Sequence, residues 1–130
     1  MKHVLECIQD AGSFYLATVK DGKPDVRPMG LALPVNGKIY IVLAKPMNLY
    51  TQLQADNNIA ISTYKGNKVL RLYGEVELDD SDETIEAIYA LKDVLKGMFP
   101  KEVIAPYFLK NVTATISSKD KSEEPKVCKF

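Results

Sequence analysis

Arg27 has the setting that points most directly to chemistry. It stands in Val26-Arg27-Pro28-Met29-Gly30, a fixed charge set among apolar residues and prolines. Proline leaves backbone groups locally unpaired, and Gly30 lets a flat ring come close to the chain. The segment reads as an extended strand that presents a phosphate-binding arginine beside a planar ligand. It also reads as a twisted edge strand with a surface arginine. A second segment, Lys45-Pro46-Met47-Asn48, lies where an apolar strand gives way to a helix. A helix start offers free N–H groups and the positive end of a dipole, which suits a phosphate. Lys45 and Asn48 would add a charge and a donor, although an ordinary helix cap has the same appearance.

Other reactive side chains fall into structural patterns. His3 is the single histidine and lies in the first turn of the chain, where a solvated role is expected. Glu75/Glu77 alternate along a strand, and Asp79/Asp80 precede a helix, so neither pair reads as a catalytic dyad. Tyr15, Tyr40, Tyr64 and Tyr73 lie in strand patterns as core or interface residues. No zinc spacing, GxSxG elbow, Walker motif or GxGxxG is present, and no metal site or catalytic acid or base is assigned.

The 130 residues suit one domain spanning 1–130. Seventeen basic and seventeen acidic side chains cancel, which removes the electrostatic warrant for a nucleic-acid or anionic-membrane partner. A net charge of zero also leaves self-association unopposed. Cys7 and Cys128 form no CxxC motif, no apolar run reaches the ~20 residues of a membrane span, and Glu6 and Asp10 interrupt the first apolar pattern. A cytoplasmic, reduced protein is the expectation.

The elements that must position Arg27 and Lys45 follow from periodicity. Val4, Leu5 and Ile8 place a helix over 2–11, stopped by Gly12. Strands are expected at 14–20, 23–35, 38–43, 58–64, 68–78 and 109–117. Asp21-Gly22 and Asn36-Gly37 are hairpin turns. Pro24, Pro28 and Pro34 make the second strand an edge strand, bulged, or both. Pro46 suits a first helical position, with the helix running to about Gln54. Gly74 inside its strand implies a bulge or a close backbone approach. Asp80 caps a helix with Glu83 three residues on, and Ile85, Ile88, Leu91, Leu95 and Met98 form its apolar stripe. Residues 118–130 read as a polar, mobile tail. The strands lie too close together for βαβ crossovers throughout, so the elements predict an antiparallel barrel with peripheral helices.

Taken in order, Phe14-Tyr15-Leu16-Ala17-Thr18-Val19, Asp21-Gly22-Lys23-Pro24 and Val26-Arg27-Pro28-Met29-Gly30 resemble the opening of the pyridoxamine 5′-phosphate oxidase-like flavoproteins. The likeness extends through Gly37-Lys38-Ile39-Tyr40, Tyr50-Thr51-Gln52-Leu53, Asn57-Asn58-Ile59-Ala60-Ile61 and Leu70-Arg71-Leu72-Tyr73-Gly74-Glu75-Val76 to Asn111-Val112-Thr113-Ala114-Thr115. It implies a mainly β (α+β) fold, an antiparallel split β-barrel of the FMN-binding type. It implies a homodimer with FMN in clefts between subunits. The residues it assigns to FMN are Arg27, Pro28, Met29, Gly30, Leu43, Lys45, Asn48 and Gln52. Arg71 stands as a substrate contact, a supporting contact or a surface ion pair.

The chain departs from that pattern at Leu43, where relatives carry Thr, and at Met47, where they carry a phosphate lysine that Lys45 could replace. Leu70 stands where a Trp often precedes the matching arginine, and the C-terminal substrate-binding segment of the true oxidases is missing. These departures point away from pyridoxamine phosphate oxidation itself. The expected function is an FMN-dependent oxidoreductase for an unidentified small molecule. The alternatives are a non-catalytic binder of flavin, haem or another planar ligand in the same cleft, and a scaffold whose cleft is empty.

Overall fold

The computed structural model describes all residues, Met1–Phe130. The chain runs α1 (Lys2–Ala11), β1 (Phe14–Lys20), β2 (Lys23–Met29), β3 (Ala32–Val35), β4 (Lys38–Ala44), α2 (Asn48–Ala55), β5 (Asn58–Lys65), β6 (Lys68–Leu78), α3 (Asp82–Leu91), α4 (Leu95–Met98), β7 (Ile104–Ser118) and β8 (Lys126–Lys129). All strand pairs are antiparallel. The sheet order is β2-β1-β5-β6-β7-β4-β3, with β8 also on β7.

That order explains the shape. β2 and β3 are the two outer strands of the path, yet only Gly30 and Leu31 separate them. Three residue steps span at most about 10 Å. The two edges must therefore meet at that joint, and the sheet curls into a barrel split along the seam. The strand expected over 23–35 is thus two strands on opposite edges. The prolines were compatible with this, because each half keeps a free side.

Turn chemistry sets the registers. Asp21 and Gly22 have φ of 53° and 76°, and Asn36 and Gly37 have 49° and 76°. Both are two-residue left-handed turns that match the twist of flanking strands. Alternation then sorts the faces. Phe14, Leu16, Ile39, Ile41, Leu43, Ile59, Ile61, Leu70 and Leu72 fill the barrel with Val4 and Ile8 of α1 and Leu49 and Leu53 of α2. A second core lies outside it, where Tyr40, Val42 and Ile104 pack beneath Ile85, Ile88 and Leu95. β4 is consequently buried on both faces.

Several boundaries differ from expectation. Ser81, not Asp80, caps α3 and accepts from the Thr84 amide. The helix expected to reach Met98 breaks after Leu91, and Leu91 and Met98 are exposed while Leu95 is buried. β7 begins five residues earlier than expected and passes through Pro106. Within the stretch expected as a mobile tail, residues 126–129 pair with β7 and the Phe130 amide donates to the Val112 carbonyl. Cys128 and Phe130 pack against the barrel core, which anchors this end. Gly74 has the expected close approach, and the bulge lies opposite it in β7. No helix is long and apolar enough to cross a membrane.

Candidate functional site

The turn at Asp21-Gly22 pairs Leu16 with Arg27 and Thr18 with Asp25. Leu16 and Thr18 point into the barrel, so Arg27 and Asp25 stand beside them on the inward face. Helix α2 packs its Leu49 and Leu53 into the same core. That docking carries Gln52 to Thr18 and Arg27, and four side chains from three elements meet.

Their geometry is closed. Arg27 donates from Nη1 to the Leu16 carbonyl at 3.2 Å and to Thr18 Oγ1 at 2.8 Å. From Nη2 it donates to Asp25 Oδ2 at 3.0 Å and Gln52 Oε1 at 3.2 Å. Thr18 Oγ1 donates to Gln52 Oε1 at 2.5 Å, and Gln52 Nε2 donates to Asp25 Oδ2 at 2.9 Å. A guanidinium has five N–H donors. Four are engaged, and Nε alone is uncommitted. Hydrogen bonding from Gln52, then the charge of Arg27, holds the Asp25 carboxyl below its ordinary range, against the opposing effect of burial.

One helical turn before Gln52 on the same face lies Asn48, the first residue of α2. Met47 occupies the cap position, and its side chain makes no capping hydrogen bond to the helix amides. The amides at the helix start therefore lack a capping side chain. Pro46 lies in the turn before α2, closed by the Met47 amide on the Ala44 carbonyl, and not at the first helical position. Met47 Sδ accepts from the Ala44 amide at 3.3 Å. Lys45 Nζ lies 3.5 Å from Asp80 Oδ2.

The expected ligand residues thus divide. Arg27 and Gln52 are in direct contact, and Asn48 shares the Gln52 face of α2. Lys45 lies on the turn before that helix, paired with Asp80. Leu43 is fully buried in the barrel core, so its side chain serves packing. Pro28 pairs with Tyr15 on the outer face, Met29 is half-buried against the core, and Gly30 is exposed at the β2–β3 joint. Arg71 forms no ion pair and donates to Tyr73 Oη at 2.9 Å. Thr18 and Asp25 were not anticipated. The signal for them was the hairpin register, which places both on the Arg27 face.

The uncapped start of α2, with the Asn48 amide side chain exposed, fits a phosphate monoester. Met47 offers no charge there. A separate cavity of about 450 Å³ lies at the other end of the sheet, between α1 and the β5–β6 and β7–β8 connections, with Cys7, Lys68 and Lys126 in its wall. Burial raises the Cys7 thiol above its ordinary range. No group of three or more His, Cys, Asp or Glu is placed to hold a metal ion.

The outer face of β1, β2, β5 and β6 is uncovered, unlike that of β4, which α3 and α4 cover. Tyr15, Val26 and Tyr73 are 51%, 63% and 55% exposed, and the registers join them through Ala17 and Ala60. Both α1 and α2 pack on the opposite, inward face.

Comparison with known proteins agrees with this architecture. A NimC/NimA family protein from Clostridium acetobutylicum is 31% identical over 98% of this chain and 93% of its own, with a TM-score of 0.88. General Stress Protein 26 from Bacillus anthracis matches at 16% identity over 99% of this chain and 97% of its own, with a TM-score of 0.67. A heme binding protein from Mycobacterium smegmatis matches at 14% identity over 97% of this chain and 56% of its own, with a TM-score of 0.71. The last two show likeness of fold alone. No curated protein matches the chain. The family described as pyridoxamine 5′-phosphate oxidase matches residues 1–125. With its split barrel and the Arg27–Gln52 cluster beside α2, the chain belongs to the pyridoxamine 5′-phosphate oxidase-like family.

Proposed function

We propose that this chain is an FMN-binding oxidoreductase that works as a homodimer on a small molecule. The observation that carries the reading is the uncapped start of α2, set one turn from Gln52 and Arg27. The amides of Asn48 and Leu49, the Asn48 side chain and Lys45 would hold the phosphate, with Arg27 behind them. Bound there, the flavin supplies hydride or electron transfer. The protein's own residues bind and orient: Thr18, Gln52 and Asp25 fix the guanidinium, and Leu49 and Leu53 fix the helix that presents the anion site. No side chain is assigned as proton donor or acceptor. Pyridoxamine phosphate oxidation itself is not the proposed reaction.

Homodimerisation is supported by the bare apolar face around Tyr15, Val26 and Tyr73, since monomeric proteins rarely expose such a patch. A partner seated on it would complete a cleft for a planar ring.

The test is an absorption spectrum of purified protein before and after incubation with FMN and desalting. Retained flavin bands support the reading, and turnover of a nicotinamide donor would then establish the enzyme. Absence of retained flavin refutes it. A second reading, a non-catalytic binder of haem or another planar ligand, is favoured by Met47, which leaves the phosphate position without a cation. A haem-type band after haem incubation, with no flavin retained, would select it.

A further inference from the structure

We infer that Asp25 is an internal competitor for the ligand phosphate, so this cleft separates FMN from unphosphorylated riboflavin only weakly. The inference rests on the FMN reading above. Arg27 and Lys45 are the two cations of the candidate site. Each is already paired with a carboxylate of the same chain, Arg27 with Asp25 at 3.0 Å and Lys45 with Asp80 at 3.5 Å. The four formal charges cancel, and Met47 adds none.

The Arg27 pair is the more consequential. The guanidinium is tied to β1 and α2 as well as to Asp25, and only Nε is uncommitted. A bidentate grip on a phosphate needs two N–H groups on one edge. Nε and one Nη form such an edge, but both protons on Nη1 are committed to the Leu16 carbonyl and Thr18. Those on Nη2 are committed to Asp25 and Gln52. Thr18 and Gln52 are buried and fix the inner bonds. The Asp25 side chain is 45% exposed, which makes it the partner a phosphate can displace. Asp25 therefore occupies the place of the anion, and the phosphate gains only the difference between the two contacts. The ring of a flavin feels none of this, so riboflavin keeps most of the affinity.

Asp25→Asn removes the competing charge and keeps the shape. Asp25→Ser removes both charge and reach, and it serves if the Asn variant misfolds. FMN and riboflavin are titrated into each by fluorescence quenching. Release of a partly exposed ion pair should tighten FMN about twofold to fivefold. Riboflavin should change by less than about twofold on the same scale. An unchanged or weakened FMN affinity in both variants, with flavin still bound by the unaltered protein, overturns the inference. It would mean that Asp25 positions Arg27 for the ligand. If no variant binds either flavin, the FMN reading itself has failed. Inorganic phosphate, followed through the Gln52 side-chain amide by NMR, then decides separately. Tighter phosphate binding in Asp25→Asn upholds the competition, and equal binding overturns it.

Discussion

Replacing Gly74 by alanine tests the close approach of β6 and β7. A Cβ built on Gly74 would lie 3.0 Å from Val112 Cγ2, 3.1 Å from the Lys110 carbonyl oxygen and 3.3 Å from Val112 Cα. Two of these three neighbours are backbone atoms, which cannot rotate away. They are held because β7 places two residues, Asn111 and Val112, opposite this one position, with Asn111 in the left-handed region at φ 51°. The Val112 amide donates to the Phe130 carbonyl and its carbonyl accepts from the Phe130 amide, so the bulge is pinned from the far side. Overpacking of this kind costs about 1–3 kcal/mol. Alanine regains about 0.4–1 kcal/mol by restricting the unfolded chain. The middle of each range leaves a net loss of about 1.3 kcal/mol, which for a chain of this length lowers Tm by about 5 °C. Differential scanning calorimetry reads it directly. Gly97→Ala is the control, because nothing lies within 4 Å of a Cβ there. Its Tm should hold or rise slightly. A Gly74→Ala protein that melts at or above the parent, with Gly97→Ala behaving as stated, would refute the steric argument.

Asp79 accepts from Thr84 Oγ1 at 2.6 Å and Tyr40 Oη at 2.8 Å, and these bonds, Thr84 foremost, depress its carboxyl to about 2. A depressed folded value gives stability that is complete above the unfolded value and fades as pH falls toward 2. Denaturant melts should therefore lose about 2 kcal/mol between pH 5 and pH 2 through this group, and Asp79→Asn should flatten that part of the slope. Gln52→Leu strands the buried Thr18 hydroxyl and one Arg27 donor, and should cost about 1–3 kcal/mol in urea unfolding. Unchanged stability would show that water replaces Gln52 without loss. Val26→Lys sets a charge in the bare outer face, and light scattering should report monomers where the parent gives dimers. A parent that is already monomeric at micromolar concentration would remove the dimer cleft for every ligand.

Local signals carried much of the fold. Asp21-Gly22 and Asn36-Gly37 announced two hairpins, and their positive φ values set the registers that put Asp25 and Arg27 beside Thr18 and Leu16. The alternation of Leu70, Leu72 and Val76 located the buried face of β6. Features set by tertiary packing were hidden. Pro24, Pro28 and Pro34 look alike in sequence, yet the first two lie on one sheet edge and the third on the other. Pro106 masked the first third of β7, because proline is an unexpected residue in a strand flanked on both sides. β8 was concealed by the polar residues before it, since its anchors, Cys128 and Phe130, become apolar contacts only once the barrel exists. At the site, the setting of Arg27 singled it out and the family resemblance added Gln52, while Thr18 and Asp25 stood out only once the hairpin pairing showed what lies beside Arg27. Alternation along β4 turns the Leu43 side chain into the core.

The joint at Gly30-Leu31 also governs the order in which the chain can assemble. The β1–β2 and β3–β4 hairpins form from neighbouring residues and stay tethered through two residues. Neither can find its other partner soon, since Tyr15 must meet Ser62 and Tyr40 must meet Phe108. Long loop closures of this kind slow folding to milliseconds or seconds. Pulsed hydrogen exchange should accordingly protect the amides bonded within the β1–β2 hairpin before those bonded between β1 and β5. Helix α2 lies between β4 and β5, so its docking on β1 waits for β5 to arrive. The Arg27–Gln52 cluster is built from residues in the first half of the chain, yet by this order it is among the last parts of the molecule to exist.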